Sequence, residues 1–556
     1  MISLIKACAG LYIALIIYHI VFFNRELPEK VTLNYTELPL LLSVFITGYL
    51  FLKDSRYRGL FAALPIFLTY LAHDYYLWIF KRCPNLRELT KIEELLGILT
   101  PLSIALTVAA TLGLSAILIF ALNKKRLLSW RILILVLWSI PTTLIWNQPG
   151  EVYAKARHEF QLKQWSALKN VQNHGRLFMT FVRAADHLNN LRKLQANLGD
   201  IENSALYIQP EAFPTFQPRN VHIVVMESFI DATLLENVKF SRPPIHEDMQ
   251  AILDAGRSTS ISPYFGGGTA ESEFEVLCGV HAFTWYQEFK LMTGAPTYCL
   301  PRILGLMGYD TIARHPFKQV MYNRDLAYQS LGFQQKYFLD TTDPAMRLFE
   351  KPRTSEHVLD INLYARTLES LKSQLHTGRP VFNYLLTMEG HTPFHLDSAT
   401  QPVVVEVEPE NWLTQVLANK TYYRTKALAG YINKLMTLDP ESIIIAVADH
   451  LPPMTEHGAD FYESWGYSAW NQGKSKLGLR EQFLVVIDAG EVMTLAPLNH
   501  YNIYQFVLNS LSRGGYCKDH SCWNSPSDVP QASLSEENYK NLLGMSMIPE
   551  TTANLH

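Results

Sequence analysis

The stretch Gly266-Gly267-Gly268-Thr269-Ala270-Glu271-Ser272-Glu273-Phe274-Glu275-Val276-Leu277 places a glycine run directly before a helix-like pattern. Three glycines let the backbone approach a ligand closely or adopt positive φ. The acids that follow fit the first turns of a helix, where the helix dipole favours negative charge. Thr269 is therefore predicted at the N-cap. Its hydroxyl could be only a cap, but beside a metal ion and free backbone N–H groups it would be a nucleophile towards phosphorus.

Short apolar runs separated by helical patterns surround this stretch and predict an α/β domain with a mostly parallel central sheet over residues 219–540. Four of these runs end in residues that bind metals or phosphate. The runs and their following residues are His222–Met226 before Glu227, Tyr309–Ala313 before Arg314-His315, Val381–Met388 near Glu389 and His391, and Ile443–Ala448 before Asp449-His450. Ligands bind outside the carboxyl ends of strands in open α/β sheets, so we expect these side chains to meet at one edge.

Three competing motifs are excluded, one because it is absent and two because their spacing is wrong. No GxSxG nucleophile elbow occurs in the chain. Six residues separate Gly466 from Gly473-Lys474-Ser475, whereas a P-loop has four. The segment Cys299-Leu300-Pro301-Arg302 is one residue short of the cysteine motif of formylglycine sulfatases. The strand-end residues therefore remain the candidate site.

The first third of the chain predicts an α-helical, five-span membrane domain over residues 1–146. A spanning helix needs about 20 mostly apolar residues. Five apolar stretches meet or approach this length: Leu4–Phe23, Leu38–Leu52, Leu60–Phe80, Leu95–Leu122 and about Leu127–Trp146. The second stretch is short; without it, the C-terminal domain would lie on the other side of the membrane.

The distribution of Lys and Arg gives the orientation. Two dense basic segments, Lys53–Arg58 and Lys124–Arg131, are placed in the cytoplasm, which puts everything after Trp146 outside it. The loop that contains Lys81, Arg82, Arg87 and Lys91 opposes this assignment. We thus predict a multi-pass membrane protein whose C-terminal domain lies outside the cytoplasm.

The remaining segments are a predicted linker of amphipathic helices over residues 147–218 and a C-terminal tail over residues 541–556. Net charge is −3, so no global basic field would recruit nucleic acid, and none is expected as a partner. In an exported domain, Cys517 and Cys522 could form a disulfide. Cys278 and Cys299 could pair in the same way or remain free buried thiols.

Four motifs together resemble a known family. The segments Val224–Phe229 (VVMESF), 266–279 (GGGTAESEFEVLCG), Tyr322–Asp325 (YNRD) and Ala448–His450 (ADH) are similar to those of lipoteichoic acid synthases and related phosphoglycerol transferases. These enzymes belong to the alkaline phosphatase and sulfatase superfamily. The resemblance extends to five spans followed by an external domain.

The resemblance implies roles for the strand-end residues. Glu227, Thr269, Asp449 and His450 would hold one divalent metal ion, Mn²⁺ in preference to Zn²⁺ or Mg²⁺. Thr269 would attack the phosphate of phosphatidylglycerol, release diacylglycerol and carry the phosphoglycerol group covalently to an acceptor on an envelope glycan or polymer. The residues His315, Arg324 and His391 would bind that group, and a planar guanidinium suits two phosphate oxygens.

Two other functions stay open at this stage. Phosphoethanolamine transferases share the five-span layout and the threonine nucleophile but use phosphatidylethanolamine. A non-catalytic envelope protein that binds glycans could keep the fold, although the complete set of site residues argues against it. The cysteine-bearing segment Gly515–Asn524 departs from the Gram-positive synthases and suggests a Gram-negative relative with a different glycan acceptor.

Overall fold

The computed structural model describes residues 2–23, 36–80, 105, 109, 112–113, 119–123, 139, 142–162, 167–196, 216–282, 288–340, 348–349, 357–453, 462, 465–468, 477–519, 522, 539 and 541–546. The chain forms two compact units, Met1–Gln195 and Ala196–His556. The division falls inside the predicted linker, between Gln195 and Ala196. The predicted bounds at 146 and 218 stay predictions.

The first unit contains the helices α1 (Ile2–Phe23), α2 (Leu38–Phe51), α3 (Arg58–Phe80), α4 (Pro149–Glu159), α5 (Ala167–His174) and α6 (Arg176–Ala196). The first three coincide with the first three predicted spans. By length and composition, one described stretch, Arg58–Leu77, could cross a membrane; Ser3–Tyr18 and Leu38–Phe51 are shorter apolar helices. Most of the fourth and fifth predicted spans lies outside the described residues, so the five-span arrangement stays a prediction.

Charged contacts within this unit join α6 to the apolar helices. Arg176 donates through Nε and Nη2 to the two carboxylate oxygens of Asp74, at 2.6 and 2.7 Å. Glu37 accepts a hydrogen bond from the backbone N–H of Leu177, at the start of α6, and another from Tyr70 at 2.7 Å. A carboxylate at a helix N-terminus is favourable because the first N–H groups of a helix lack intrahelical partners.

The second unit is built on a central sheet of nine strands. Its strands are β1 (Val221–Met226), β3 (Ser258–Ile261), β4 (Asp310–His315), β5 (Gln335–Phe338), β6 (Val381–Leu386), β8 (Ile443–Ala448), β11 (Glu481–Asp488), β12 (Glu491–Val492) and β13 (Leu498–Asn499). The order is β13-β3-β11-β8-β1-β6-β4-β5, with β12 paired to β11. Strands β8, β1, β6, β4 and β5 are parallel neighbours, whereas β11 is antiparallel to β8 and to β3. The predicted mostly parallel α/β sheet is confirmed.

Two further strand pairs lie outside the central sheet: β2 (Lys239–Phe240) pairs with β7 (Val407–Glu408), and β9 (Tyr467–Ser468) pairs with β10 (Leu477–Gly478). The helices of this unit are α7 (Glu247–Ala255), α8 (Thr269–Cys278), α9 (Glu288–Leu291), α10 (Leu300–Leu306), α11 (Arg324–Leu331), α12 (Asp360–Gln374), α13 (Trp412–Leu438), α14 (Asn502–Leu511) and α15 (Gly515–Asp519).

The core of this unit lies against the sheet. Strands β1, β6 and β8 are buried along their whole length, which explains their continuous apolar runs. Apolar residues of α7, α12 and α13 pack on one face of these strands in a single cluster. Helix α8 is joined to β6 by a hydrogen bond from Tyr384 to Glu273 at 3.0 Å.

Both cysteine pairs considered from the sequence form disulfides. Cys278, the last residue of α8, is bonded to Cys299, which immediately precedes α10. Cys517 is bonded to Cys522. The first bond connects the end of the helix that begins with Thr269 to a neighbouring helix.

Candidate metal centre and nucleophile

The carboxyl ends of β1 and β8 bring the predicted ligands together. The two strands are parallel neighbours, and Met226 is paired with Ala448 in their register. Glu227 and Asp449 therefore follow directly from paired residues, and the backbone N–H of Asp449 donates to the carbonyl of Met226 at 3.1 Å. For these two of the four strand ends, the structure brings the predicted side chains to one edge.

Three buried ligand atoms converge at this edge. One ligand atom each from Glu227, Asp449 and His450 lies within 4.8 Å of the other two. The Thr269 hydroxyl is directly beside them, 3.1 Å from Oε2 of Glu227 and 3.2 Å from Nε2 of His450. The Thr269 residue retains 9% of its exposed surface, and the three ligands retain less. The four residues form one largely water-excluded cluster.

The glycine run determines how Thr269 reaches this position. Gly266, Gly267 and Gly268 all have positive φ, at 64°, 149° and 91°. Gly268 is the N-cap of α8, and Thr269 is the first helical residue, so the predicted N-cap position of Thr269 is wrong by one residue. The reason is that glycine tolerates the left-handed conformation at the cap. The threonine hydroxyl is then directed to Glu227 and His450 instead of capping the helix.

The donors and acceptors of the cluster fit a divalent cation. Nδ1 of His450 lies 2.9 Å from the carbonyl oxygen of Leu451, which can only accept, so Nδ1 carries the proton and Nε2 presents a lone pair to the cluster. Oδ2 of Asp449 is buried and accepts no hydrogen bond from the described residues. Carboxylate oxygens, an imidazole nitrogen and a hydroxyl are a donor set for Mn²⁺, Zn²⁺ or Mg²⁺.

The electrostatics of the two carboxylates differ. Burial raises the pKa of Asp449 to about 7; His450 opposes this effect, and the charge of Glu227 adds to it. Burial also acts to raise the pKa of Glu227, but His391 and His450 outweigh it and hold that pKa below its usual range. Two buried carboxylates this close repel each other when both are ionised. A bound cation would remove the repulsion.

The predicted substrate-binding residues lie near the cluster but differ in what they contact. Burial, and then the charge of Arg324, lowers the pKa of His315 well below its usual value. Neutral His315 has Nδ1 3.4 Å from the carbonyl of Leu386, and its Nε2 has no hydrogen-bond partner among the described residues. His391 has Nδ1 2.7 Å from the carbonyl of Thr392.

Arg324 already has a buried partner. Its Nε and Nη2 donate to Oε2 of Glu273 at 3.0 and 2.7 Å, and Tyr328 and Tyr384 donate to Oε1 of the same carboxylate at 2.5 and 3.0 Å. The predicted phosphate contact of Arg324 stays a prediction, and part of the guanidinium is engaged by Glu273.

Several residues that contribute to the site were missed from the sequence. Ser228 donates through its backbone N–H to Oδ1 of Asp449 and through its hydroxyl to Oε1 of Glu227, at 2.7 and 2.8 Å. Ser272 of α8 donates to the carbonyl of Asp449 at 2.9 Å. The ring of His357 lies 5.4 Å from that of His391, measured between centroids. Ser228 and Ser272 stand inside the quoted motifs, but His357 carries no sequence signal.

The comparison with family models matches one region of the chain. Residues 219–476 match the model described as Sulfatase. This region contains all the predicted site residues.

The proteins that are similar to the chain include the following two curated relatives and one solved structure. A protein of Rhizobium meliloti (strain 1021), described as a candidate cyclic beta-1,2-glucan modification protein, is 30% identical over 257 residues, 45% of this chain and 37% of that protein. Lipoteichoic acid synthase of Staphylococcus aureus (strain bovine RF122 / ET3-1) is 23% identical over 279 residues, 47% of this chain and 41% of that protein. The chain thus spans less than half the length of either relative. The Streptococcus pyogenes phosphoglycerol transferase GacH in complex with sn-glycerol-1-phosphate has a TM-score of 0.43 and 18% identity, covering 64% of this chain and 91% of that structure.

Proposed function

From the sulfatase-family domain that residues 219–476 form, which is similar to lipoteichoic acid synthases, we propose that the chain is a metal-dependent phosphotransferase. In this proposal it moves phosphoglycerol from phosphatidylglycerol to an envelope glycan or polymer through a covalent phospho-threonine at Thr269. The observation that carries the proposal is the hydroxyl of Thr269 at the first position of α8, 3.1 Å from Glu227 and 3.2 Å from His450.

Glu227, Asp449, His450 and Thr269 would hold one divalent cation, with Mn²⁺ preferred over Zn²⁺ and Mg²⁺. Such an ion lowers the pKa of a bound hydroxyl and offsets charge on a phosphoryl oxygen. The fit rests on the lone pair of His450 Nε2 and on the buried Oδ2 of Asp449, which accepts no hydrogen bond from the described residues.

In the first step, the oxygen of Thr269 attacks phosphorus as its proton passes towards Oε2 of Glu227, to which it already points. The bond between phosphorus and the diacylglycerol oxygen breaks, and the proton that Glu227 accepted passes through solvent to that oxygen as diacylglycerol leaves. The first intrahelical bond of α8 runs from Ser272 N–H to Gly268 O, so the N–H groups of the first turn, which make no such bond, would donate to the phosphoryl oxygens.

In the second step, a hydroxyl of the acceptor attacks phosphorus, the bond between phosphorus and the Thr269 oxygen breaks, and the proton of the acceptor hydroxyl passes to Thr269. Neutral His315 suits a hydroxyl better than an anion, because its buried Nε2 can accept a hydrogen bond. We assign His315 to a hydroxyl of the glycerol group, with His391 and Arg324 near the phosphate.

The acceptor and the location extend the proposal. The name of the Rhizobium meliloti relative, which refers to cyclic beta-1,2-glucan modification, supports a glycan as the acceptor. Two disulfides suit an oxidising compartment. Together with the five predicted spans, they support a multi-pass protein of the bacterial inner membrane with an extracytoplasmic catalytic domain.

The test is lipid turnover by the purified full chain in detergent with Mn²⁺. Phosphatidylglycerol should yield diacylglycerol, Thr269→Ala should abolish release, and the Thr269 peptide should carry the mass of glycerophosphate. If diacylglycerol were released only from phosphatidylethanolamine, and the Thr269 peptide carried ethanolamine phosphate, the donor would be phosphatidylethanolamine instead of phosphatidylglycerol. Equal turnover by Thr269→Ala would reject the mechanism.

A further inference from the structure

Ser228 contacts the outer oxygens of both candidate metal-binding carboxylates. Its hydroxyl donates to Oε1 of Glu227 at 2.8 Å, and its N–H donates to Oδ1 of Asp449 at 2.7 Å. The inner oxygens, Oε2 and Oδ2, are thereby left for the cluster: Oε2 faces Thr269, and Oδ2 lies 3.2 Å from His450 Nε2. One residue thus contacts two side chains that are 222 positions apart in the chain. The backbone N–H of His450 also donates to Oδ1 of Asp449, at 2.6 Å.

This arrangement requires an unfavourable backbone conformation. Ser228 has φ of 43°, in the left-handed region that non-glycine residues rarely occupy. Such a residue is strained and persists only where its surroundings fix it. The conformation is what allows the N–H and the hydroxyl of a single residue to reach Asp449 and Glu227 together.

Arg424 of α13 supplies the surrounding contacts. Its Nη1 donates to the carbonyl of Ser228 at 3.1 Å, and its Nη2 donates to the hydroxyl of Thr387 at 3.2 Å. That hydroxyl also accepts the backbone N–H of Glu227 at 3.0 Å. The guanidinium therefore contacts both Ser228 and the Thr387 hydroxyl, which in turn fixes the backbone of Glu227.

The charge of Arg424 is neutralised locally. Its Nε donates to Oδ2 of Asp360 at 2.8 Å, and the backbone N–H of Asp360 donates to Glu389 at 2.6 Å. The backbone of Gly390 packs directly against this group. A Cβ at position 390 would overlap the carbonyl oxygen of Glu227 and Nη1 of Arg424, so only glycine fits there. The contacts of Arg424 point to a geometric role.

We infer that Ser228 and Arg424 are positioning residues that hold Glu227 and Asp449 in the geometry a divalent cation needs. The inference rests on the metal centre of the proposed function. Removal of a group that orients metal ligands typically lowers metal affinity about 10- to 100-fold.

The experiment measures Mn²⁺ affinity of the full chain in detergent by calorimetry, with the electron paramagnetic resonance spectrum of bound Mn²⁺ as a second readout. Ser228→Ala removes only the hydroxyl, and Ser228→Gly removes it while relieving the positive φ. Both should raise the Kd for Mn²⁺ about 10- to 100-fold and alter the spectrum, and Ser228→Gly should melt no lower than the unchanged chain. Ser330→Ala is the matched control: its buried hydroxyl accepts from Gly294 N–H, and its Kd should not change.

Arg424→Lys separates geometry from charge. Lysine keeps the positive charge beside Asp360 but lacks the planar fork that reaches Ser228 and Thr387 together, so its Kd should rise like that of the Ser228 variants. Unchanged affinity, within about threefold, in Ser228→Ala and Ser228→Gly would overturn the inference while leaving the proposed function intact. Failure of the unchanged chain to bind Mn²⁺ would instead refute the metal centre itself.

Discussion

The buried pair of Glu273 and Arg324 gives a quantitative prediction. Glu273 is fully buried and accepts two hydrogen bonds from Arg324 and one each from Tyr328 and Tyr384. Removing one member of a buried ion pair leaves the other charge uncompensated and costs about 3–5 kcal/mol. Glu273→Gln and Arg324→Met should each lose about that much.

The double variant Glu273→Gln with Arg324→Met should lose much less than the two single losses combined, because no unpaired charge remains. For a unit of about 360 residues, an unfolding entropy of about 2.1 cal/mol/K per residue converts 1 kcal/mol to about 1.3 °C. Each single change should therefore lower the melting midpoint by about 4–7 °C, and the double change by about 1–4 °C.

Thermal melting of the detergent-solubilised chain measures these shifts. Arg366→Met with Glu369→Gln is the matched control, since that ion pair is more than half exposed and should not shift the midpoint measurably. If the double variant lost the sum of the two single shifts, the two charges would not compensate each other. The reading of Arg324 as a structural partner of Glu273 would then be refuted.

Three further predictions use the same melting measurement. Burial lowers the pKa of His500 to about 4 from its ordinary 6.5, so the unfolded state binds more protons between these pH values and the free energy of unfolding falls by up to about 3 kcal/mol as the pH drops through them. Between pH 7.5 and 4.5, the melting midpoint of His500→Gln should therefore fall by about 3–4 °C less than that of the unchanged chain. An equal fall in both proteins would contradict this prediction. The disulfide between Cys278 and Cys299 spans 21 residues, and that between Cys517 and Cys522 spans 5. Because a longer closed loop restricts the unfolded chain more, replacing the first pair by alanine should lower the free energy of unfolding by about 3 kcal/mol and replacing the second by about 2 kcal/mol. The reverse order would refute the loop-closure argument. Gly390→Ala should lower the melting midpoint and weaken Mn²⁺ binding, because the added Cβ would overlap the carbonyl oxygen of Glu227. Gly430→Ala, which has open space at its Cβ inside α13, should instead raise the free energy of unfolding by about 0.5–1 kcal/mol. A destabilised Gly430→Ala together with an unaffected Gly390→Ala would contradict both predictions.

The strand-end logic explains what the sequence predicted well. The apolar run Ile443–Ala448 is found as a strand with the same bounds, and Glu227 and Asp449 follow paired residues. These features are local: a continuous apolar run indicates a strand buried on both faces, and the polar residue after it marks the end. Parallel strands then carry their carboxyl ends to one edge of the sheet.

Contacts between remote residues explain what the sequence did not predict. Glu273 was interpreted as an acid favoured by the helix dipole, but its partner Arg324 is 51 positions away in the chain. Arg424 stands in the middle of a long helix without a motif, and its contact with Ser228 spans 196 positions. The one-residue error at Thr269 has a local cause, since a glycine and a threonine are both acceptable N-caps and only the backbone conformation decides between them.

Helix α8 shows why these remote contacts bear on chemistry. Ser272 joins its first turn to the carbonyl of Asp449, Glu273 joins it to Arg324 and β6, and Cys278 joins its last turn to α10. A nucleophile must be held within about 0.5 Å of its productive position, which a helix fixed to several elements achieves better than a loop. The contacts of α8 hold the hydroxyl of Thr269 3.1 Å from Glu227 and 3.2 Å from His450. In the proposed mechanism, a cation bound at this cluster would offset the repulsion between Glu227 and Asp449.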